Sequence, residues 1–356
     1  MNVIIVKSGK EIREVRRNTL CIDVNNIEIF RIGGEGRIEI RTERARGVLS
    51  PLLFSVFINT VTKSLSSSYH LYADDLQIYT SAPANNFNKA IEDLHSDLNK
   101  IASWSKSFGI ALNPNKSQVA LLGGAKQIAK INMNSLPSIK LNNTNLMVSA
   151  SIKNLGLMID STMSWAPQVA EVSRKFFATI GCLRRWKHLL PMKTKVTLAH
   201  SLLLPLLDYA DSSYPDLSED LLNKYERLQN HCIRFIYGLR KFDHISEFRA
   251  KLKWLPIRLR RNLHLLFLLY CILYNPLSPS YLKERFVFLG SNSDLHLNLR
   301  SRSDNRLKMF ASQSQAYSNS FTIKAAKLWN SLPGKVRHSD SLSTFKKRLY
   351  NHYLSL

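Results

Sequence analysis

The sequence predicts an α+β fold: an antiparallel sheet with packed helices in the first half, and a mainly α-helical second half. Three observations predict it. HLYADDLQIY at 70–79 reads as two short strands broken at Asp74-Asp75. Residues 86–108 place Phe87, Ile91, Leu94, Leu98, Ile101, Trp104 and Phe108 on one helical stripe. After Trp165 the apolar period is helical to about residue 275.

Each element follows in order. Residues 1–44 hold short β-like pieces (NVIIV, EIFRI, RIEIR) among charges and the glycines of RIGGEG, with no strong period. Ser50-Pro51 opens a helix as cap and first-turn proline, and Leu53, Phe54, Phe57, Ile58 and Val61 continue it at helical spacing. Strands over 70–73 and 76–80 flank the two acids. The helix at 86–108 has Glu92 and Asp93 near its start and Lys100 and Lys106 near its end, and Gly109 stops it. GIALNPNKSQVALLG reads as strand, turn and strand, 126–150 as a polar loop or loose hairpin, and NLGLMID at 154–160 as a short strand. At 221–237 Leu221, Tyr225, Leu228, Cys232 and Phe235 share one side, with Lys224, Arg227, His231 and Arg234 on a neighbouring stripe. Residues 290–320 are Ser/Asn-rich and read as flexible, and a basic helix near 321–330 leads to a Lys/Arg-rich end.

Composition points to a polyanionic partner. Lys and Arg total 50 against 26 acids in 356 residues, a net charge of +24. Residues 1–160 carry 19 basic and 13 acidic side chains, so most of the excess lies in the second half. The four cysteines (Cys21, Cys182, Cys232, Cys271) have no zinc spacing and read as reduced, mostly buried thiols. The N-terminus lacks a signal-peptide pattern, so an intracellular location, nucleus or cytoplasm, is expected. The apolar run from Leu263 to Tyr274 is too short to span a bilayer and reads as a buried helix; no membrane partner is expected.

Asp74-Asp75 is the sharpest feature. Asp is common in turns, so an ordinary hairpin turn explains the pair most simply. The apolar and aromatic flanks argue otherwise, because they place two like charges at the edge of a buried sheet. That arrangement costs energy unless a cation neutralises it. Mg²⁺, or Mn²⁺, is the hard ion that takes carboxylate oxygens and phosphate together, and paired metals serve phosphoryl transfer.

Here the chain resembles a known family. Tyr72-Ala73-Asp74-Asp75 between strand-like runs resembles the catalytic box of reverse transcriptases. Gly47-Val48-Leu49-Ser50-Pro51-Leu52-Leu53-Phe54 with Ile58-Asn59 resembles the preceding template- and nucleotide-contacting motif of non-LTR (LINE-type, jockey-like) retrotransposon enzymes. Phe108-Gly109-Ile110-Ala111-Leu112-Asn113 with Lys116-Ser117 resembles the next motif. Asn154-Leu155-Gly156-Leu157-Met158-Ile159-Asp160 and Trp165 resemble the primer-grip hairpin and the start of the thumb. LPLLDYA, ERLQNHCIRFIYG, KWLPIRLRR and AAKLWNSLPGKVR resemble the region after the polymerase domain, so the resemblance spans roughly 45–350.

The resemblance implies a partial reverse-transcriptase palm over 45–160, a thumb-like or connection region over 161–289 and a flexible basic region over 290–356, after an atypical segment at 1–44. It implies RNA-directed DNA synthesis from an RNA template, a DNA primer and dNTPs. Asp74 and Asp75 would be catalytic metal ligands. Gly47, Ser50, Pro51, Tyr72 and Lys116 would contact nucleotide or template, and Leu155 and Gly156 the primer end. Gly156 as a simple bulge and Lys116 as a solvated turn residue remain open.

Departures qualify the resemblance. Arg46 stands where the family motif has Gln. No segment in 1–45 matches the palm strand that supplies a third carboxylate; Asp23 is the sole aspartate there and its context is wrong. The chain therefore reads as an N-terminally truncated fragment with impaired stand-alone activity. A non-catalytic nucleic-acid-binding protein and a translated transposon relic are the alternatives. Residues 240–261 hold eight Lys/Arg with Phe248 and Trp254 interleaved. Arg227, Arg234, Lys251, Lys253, Arg258, Arg260 and Arg261 are the candidate phosphate-backbone contacts; a solvated basic face is the plainer alternative.

Overall fold

A computed structural model describes residues 4–8, 50–83, 87–132, 136–289, 304–311 and 315–356. Gly47, Asp23, Cys21 and the RIGGEG segment lie outside the described residues. The chain divides into two compact units, Met1–Pro167 and Gln168–Leu356.

In the first unit the elements are β1 (Ile4–Ser8), α1 (Ser50–Ile58), β2 (Ser68–Tyr72), β3 (Asp75–Ala82), α2 (Phe87–Ser107), β4 (Val119–Leu122), a single turn α3 (Ala125–Ile128), β5 (Ile139–Leu141), β6 (Thr144–Leu146), β7 (Ser151–Asn154) and β8 (Leu157–Asp160). The main sheet has the order β2-β3-β1-β4. β2 and β3 form an antiparallel hairpin, whereas β1 runs parallel to both β3 and β4. The sheet is therefore mixed, not purely antiparallel as expected. The cause is connectivity: β3 and β4 are joined through α2, and a helical crossover returns the chain in the same direction. β1 draws on the β-branched NVIIV run.

Helix α2 covers one face of this sheet. Phe87, Ile91, Leu94, Leu98 and Ile101 form a single core with Leu76 and Ile78 of β3 and Val119 and Leu121 of β4. Alternation along β3 and β4 sends every second side chain into that core. Phe108, expected on the buried stripe, is 53% exposed. The chain leaves α2 at Gly109 (φ +68°), a backbone value that an L side chain rarely adopts, and the Ile110 amide bonds back to the Ser105 carbonyl. No strand forms over 109–112. Asn113 instead caps the turn Pro114–Lys116, its side chain accepting from the Asn115 amide. The polar segment after 126 contains a tight hairpin, β5–β6, turned by Asn142 and Asn143 at positive φ.

The second unit is helical. It contains α4 (Ala166–Arg185, starting at the boundary), α5 (Met192–Leu198) continued by one π turn, α6 (Leu204–Asp208), α7 (Glu219–Tyr237), α8 (Ser246–Lys251), α9 (Ile257–Tyr274), α10 (Ser280–Lys283), α11 (Gln315–Ser318), α12 (Phe321–Ser331), α13 (Gly334–Arg337) and α14 (Leu342–Leu354). Ser218 caps α7 through the Leu221 amide and Gly238 ends it in the left-handed conformation. The core joins Leu266 and Leu269 of α9 to Trp329 of α12 and Phe345 and Leu349 of α14. Helix α12 falls where a basic helix was expected near 321–330, and helical structure continues through α13 and α14, whose apolar residues fill this core. Cys182 is exposed, against the expectation of burial, while Cys232 is buried. Among the described residues no helix is long and apolar enough to cross a membrane.

Candidate active site

Asp74 sits in the two-residue turn between β2 and β3, and Asp75 is the first residue of β3, paired with Tyr72. Ala73 takes φ +50°, the value tight hairpin turns demand at their first central position. The turn projects Asp74, half-buried, while Asp75 is only 1% exposed. Two carboxylates one residue apart at the end of a buried strand are hard oxygen donors of like charge, a set that suits a divalent cation.

A second hairpin reaches the same face of the sheet. Gln77 lies two residues after Asp75 on β3 and so shares its face. The Gln77 Nε2 donates to Asn154 Oδ1 at 3.0 Å, and both side chains are buried. Asn154 is the last residue of β7, directly before the turn Leu155-Gly156. Both turn residues have positive φ (+45° and +77°), which Gly156 adopts without strain and Leu155 does not. Asp160, at the end of β8, then organises the entry to α4. Burial would raise its pKa, but bonds from Thr162 and from the Ser164 and Trp165 amides outweigh burial and hold it below the usual range.

Among the other candidates of the first unit, Tyr72 is 58% exposed beside the acidic turn. Lys116 is exposed at the turn before β4. Ser50 and Pro51 form the first turn of α1.

In the second unit the basic candidates separate. Arg260 is ion-paired with Asp208, and Arg258 with Glu219 at 2.6 Å. Arg261 is 7% exposed, donates to the carbonyls of Asp211 and Tyr214, and lies over the Tyr214 and Tyr225 rings. These three arginines, expected to contact phosphate, each engage groups of the second unit itself. Lys251 pairs with Glu247. Lys253 is exposed, as is Arg227, and Arg234 is half-buried.

Sequence reasoning missed three groups. Asp97 of α2 is fully buried and accepts from the Ser66 and Ser67 amides, the Ser66 hydroxyl and Lys100 Nζ. Its position in a helix full of charges gave no signal. The Gln77–Asn154 pair joins residues far apart in sequence. Asp208, Asp211 and His264 bring one ligand atom each to within 4.8 Å of one another. Asp208 is bonded by Arg260, and His264 Nδ1 lies 2.7 Å from Asp211.

The sequence can also be compared with known proteins. Residues 29–159 match the family described as reverse transcriptase (RNA-dependent DNA polymerase), a match that starts upstream of Gly47. The chain is similar to the probable RNA-directed DNA polymerase from transposon BS of Drosophila melanogaster, 25% identical over 203 residues, covering 53% of this chain and 21% of that protein. It is also similar to the RNA-directed DNA polymerase from mobile element jockey of Drosophila melanogaster, 23% identical over 217 residues, 58% of this chain and 23% of that protein. A third relative is the retrovirus-related Pol polyprotein from type-1 retrotransposable element R1 of Bradysia coprophila, 27% identical over 115 residues, 32% of this chain and 11% of that protein. The chain thus spans less than a quarter of the length of each of these relatives. On these matches it carries a reverse transcriptase domain of the non-LTR retrotransposon type.

Proposed function

We propose that the first unit is the part of a polymerase palm that holds the catalytic metal and the primer end, and that its reaction is RNA-templated DNA synthesis. One observation carries the reading. The Asp74-Asp75 turn and the Leu155-Gly156 turn are tied to one sheet face through Gln77 and Asn154, within the region that matches reverse transcriptases.

In this reading Asp74 and Asp75 hold Mg²⁺ or Mn²⁺. Such an ion, when bound, polarises the primer 3′-hydroxyl and the reacting phosphate oxygens. The residues around it position substrate. Tyr72 contacts template or nucleotide beside the turn. Lys116 meets incoming phosphates, and Gly47, Ser50 and Pro51 contact nucleotide or template. The tight Leu155-Gly156 turn lets backbone approach the primer end. An RNA template, a DNA primer and dNTPs are the partners, and the chain acts inside the cell, in nucleus or cytoplasm.

Stand-alone activity is low in this reading. β1 fills the place between β3 and β4, and its sequence IIVKS has no carboxylate to add to Asp74 and Asp75. A two-carboxylate site is less preorganised than a three-carboxylate one. A non-catalytic nucleic-acid-binding protein is the second reading, favoured by the unpaired basic residues of α4 and α7 described below.

Primer extension tests the first reading. The full chain is incubated with an annealed RNA template and DNA primer, dNTPs and Mg²⁺ or Mn²⁺, beside the Asp74→Asn/Asp75→Asn variant. Weak extension by the chain and none by the variant is expected. Extension that survives the double substitution overturns the assignment of Asp74 and Asp75.

A further inference from the structure

The structure sorts the basic side chains of the second unit into two sets. Arg249, Lys251, Arg258 and Arg260 each pair with a carboxylate, and Arg261 is buried against carbonyls. On α4, Arg174 and Lys175 share Glu171, but other basic side chains of α4 and α7 have no such partner. Lys224, Arg227, His231 and Arg234 recur along α7 at a spacing that keeps them on one stripe, about 15 Å long at 1.5 Å per residue. From α4, Arg184 Nη2 reaches His231 Nδ1 at 3.4 Å, and the Phe177 ring meets the His231 ring edge-on at 5.4 Å. Among the described residues, Arg184, Arg185, Lys187, Lys224, Arg227 and Arg234 have no carboxylate within ion-pair distance.

Phe177 of this face and Trp186, next to Arg185 at the end of α4, are not packed away. Phe177 is 47% exposed, and Trp186, directly after α4, is 61% exposed. The local potential is positive enough to act on a titratable neighbour: burial first, then Arg184 and Arg234, hold the His231 pKa below its ordinary value. A row of uncompensated cations attracts phosphates, and exposed rings accept bases only where those bases are unstacked.

Resting on the nucleic-acid reading above, we propose that the α4–α7 face binds single-stranded nucleic acid, with phosphates along Arg184, Arg227 and Arg234 and a base stacked on Trp186. Duplex has no unstacked base to offer Trp186, and an acidic polypeptide has no base at all. The face was not legible as a unit in the sequence, where the densest basic run lies at 240–261.

The test uses the full chain carrying Asp74→Asn/Asp75→Asn, so that binding is read without synthesis. Fluorescence anisotropy follows a labelled oligouridylate, a duplex of equal length and poly-glutamate over a range of salt. The expected order is oligouridylate over duplex over poly-glutamate. The Arg184→Ala/Arg227→Ala/Arg234→Ala variant weakens oligouridylate binding at least tenfold and flattens the log–log salt slope by about 2, at ~0.7 per phosphate contact. Trp186→Ala weakens it about tenfold with the slope unchanged, as for one lost stacking contact. Arg306→Ala, at a position ion-paired with Asp304, leaves both unchanged. Arg184, Trp186, Arg227 and Arg306 are exposed and Arg234 is half-buried, and a circular dichroism melt verifies the fold of each variant.

Wild-type affinity in the triple variant overturns the proposal. So does duplex or poly-glutamate binding that equals oligouridylate binding while Trp186→Ala is silent. Failure of the polymerase reading is separate: it is read in primer extension, and it leaves the binding result standing.

Discussion

At the residue scale, two buried acids of the first unit do different work. Asp97 is bonded on every side. Burial alone would raise its pKa, but the Lys100 ammonium and the Ser67 and Ser66 donors outweigh burial and hold it well below the carboxylate range. A carboxyl depressed in the folded state stabilises above its unfolded pKa near 3.8, and that contribution is lost as pH falls below it. Asp97→Ala leaves the Ser66 and Ser67 amides without their acceptor. It should cost the first unit about 3 kcal/mol, read as a lower urea midpoint, and should flatten the acid limb of its stability curve below about pH 4. Asp75, buried at the sheet edge, is where a cation is expected. The sequence made Asp75 conspicuous through its apolar flanks. It hid Asp97, because nothing local separates a buried acid from an exposed one on an amphipathic helix.

At the scale of elements, the strongly periodic pieces were legible and the pairings were not. The stripes of α2 and α7 matched the buried residues closely, since helical burial follows a local period. The turn at Asp74 was also read locally, whereas 154–160, read as one short strand, holds the turn Leu155-Gly156 between β7 and β8. The placement of β1 between β3 and β4 had no local signature. It depends on which strand reaches a sheet position far away in sequence, and five residues of IIVKS do not encode a partner. The Gln77–Asn154 bond is equally non-local. Asn154→Ala removes the acceptor of a buried amide and should lower the stability of the first unit by about 1–3 kcal/mol. Hydrogen exchange over 151–160 should rise most, because that hairpin depends on the bond. On α7, the depressed His231 pKa means that the unfolded chain takes up a proton first as pH falls below about 6.5. Stability should therefore decline in that window, and His231→Gln should remove that part of the decline in a pH series of thermal melts.

At the scale of the whole molecule, two cores of different make-up account for two units. One is a mixed sheet covered by α2; the other is a helical core around Trp329 and Phe345. Trp329→Ala should cost the second unit about 3–5 kcal/mol and lower its transition in a urea melt. The signal from Asp97→Ala should move independently of it. The basic excess of the second half was visible in composition alone. Its division was not, because ion pairing such as Arg260 with Asp208 joins residues more than fifty positions apart.

The central claim is that the Asp74-Asp75 turn holds a divalent cation for nucleotidyl transfer. The most direct measurement is the free Mn²⁺ electron paramagnetic resonance signal, titrated with the full chain, with Asp74→Asn/Asp75→Asn and with His264→Ala. The account predicts that the chain and His264→Ala deplete the signal, that Mg²⁺ restores it, and that the double variant does not deplete it. Depletion by the double variant equal to that of the unaltered chain, or loss of depletion in His264→Ala alone, would contradict it.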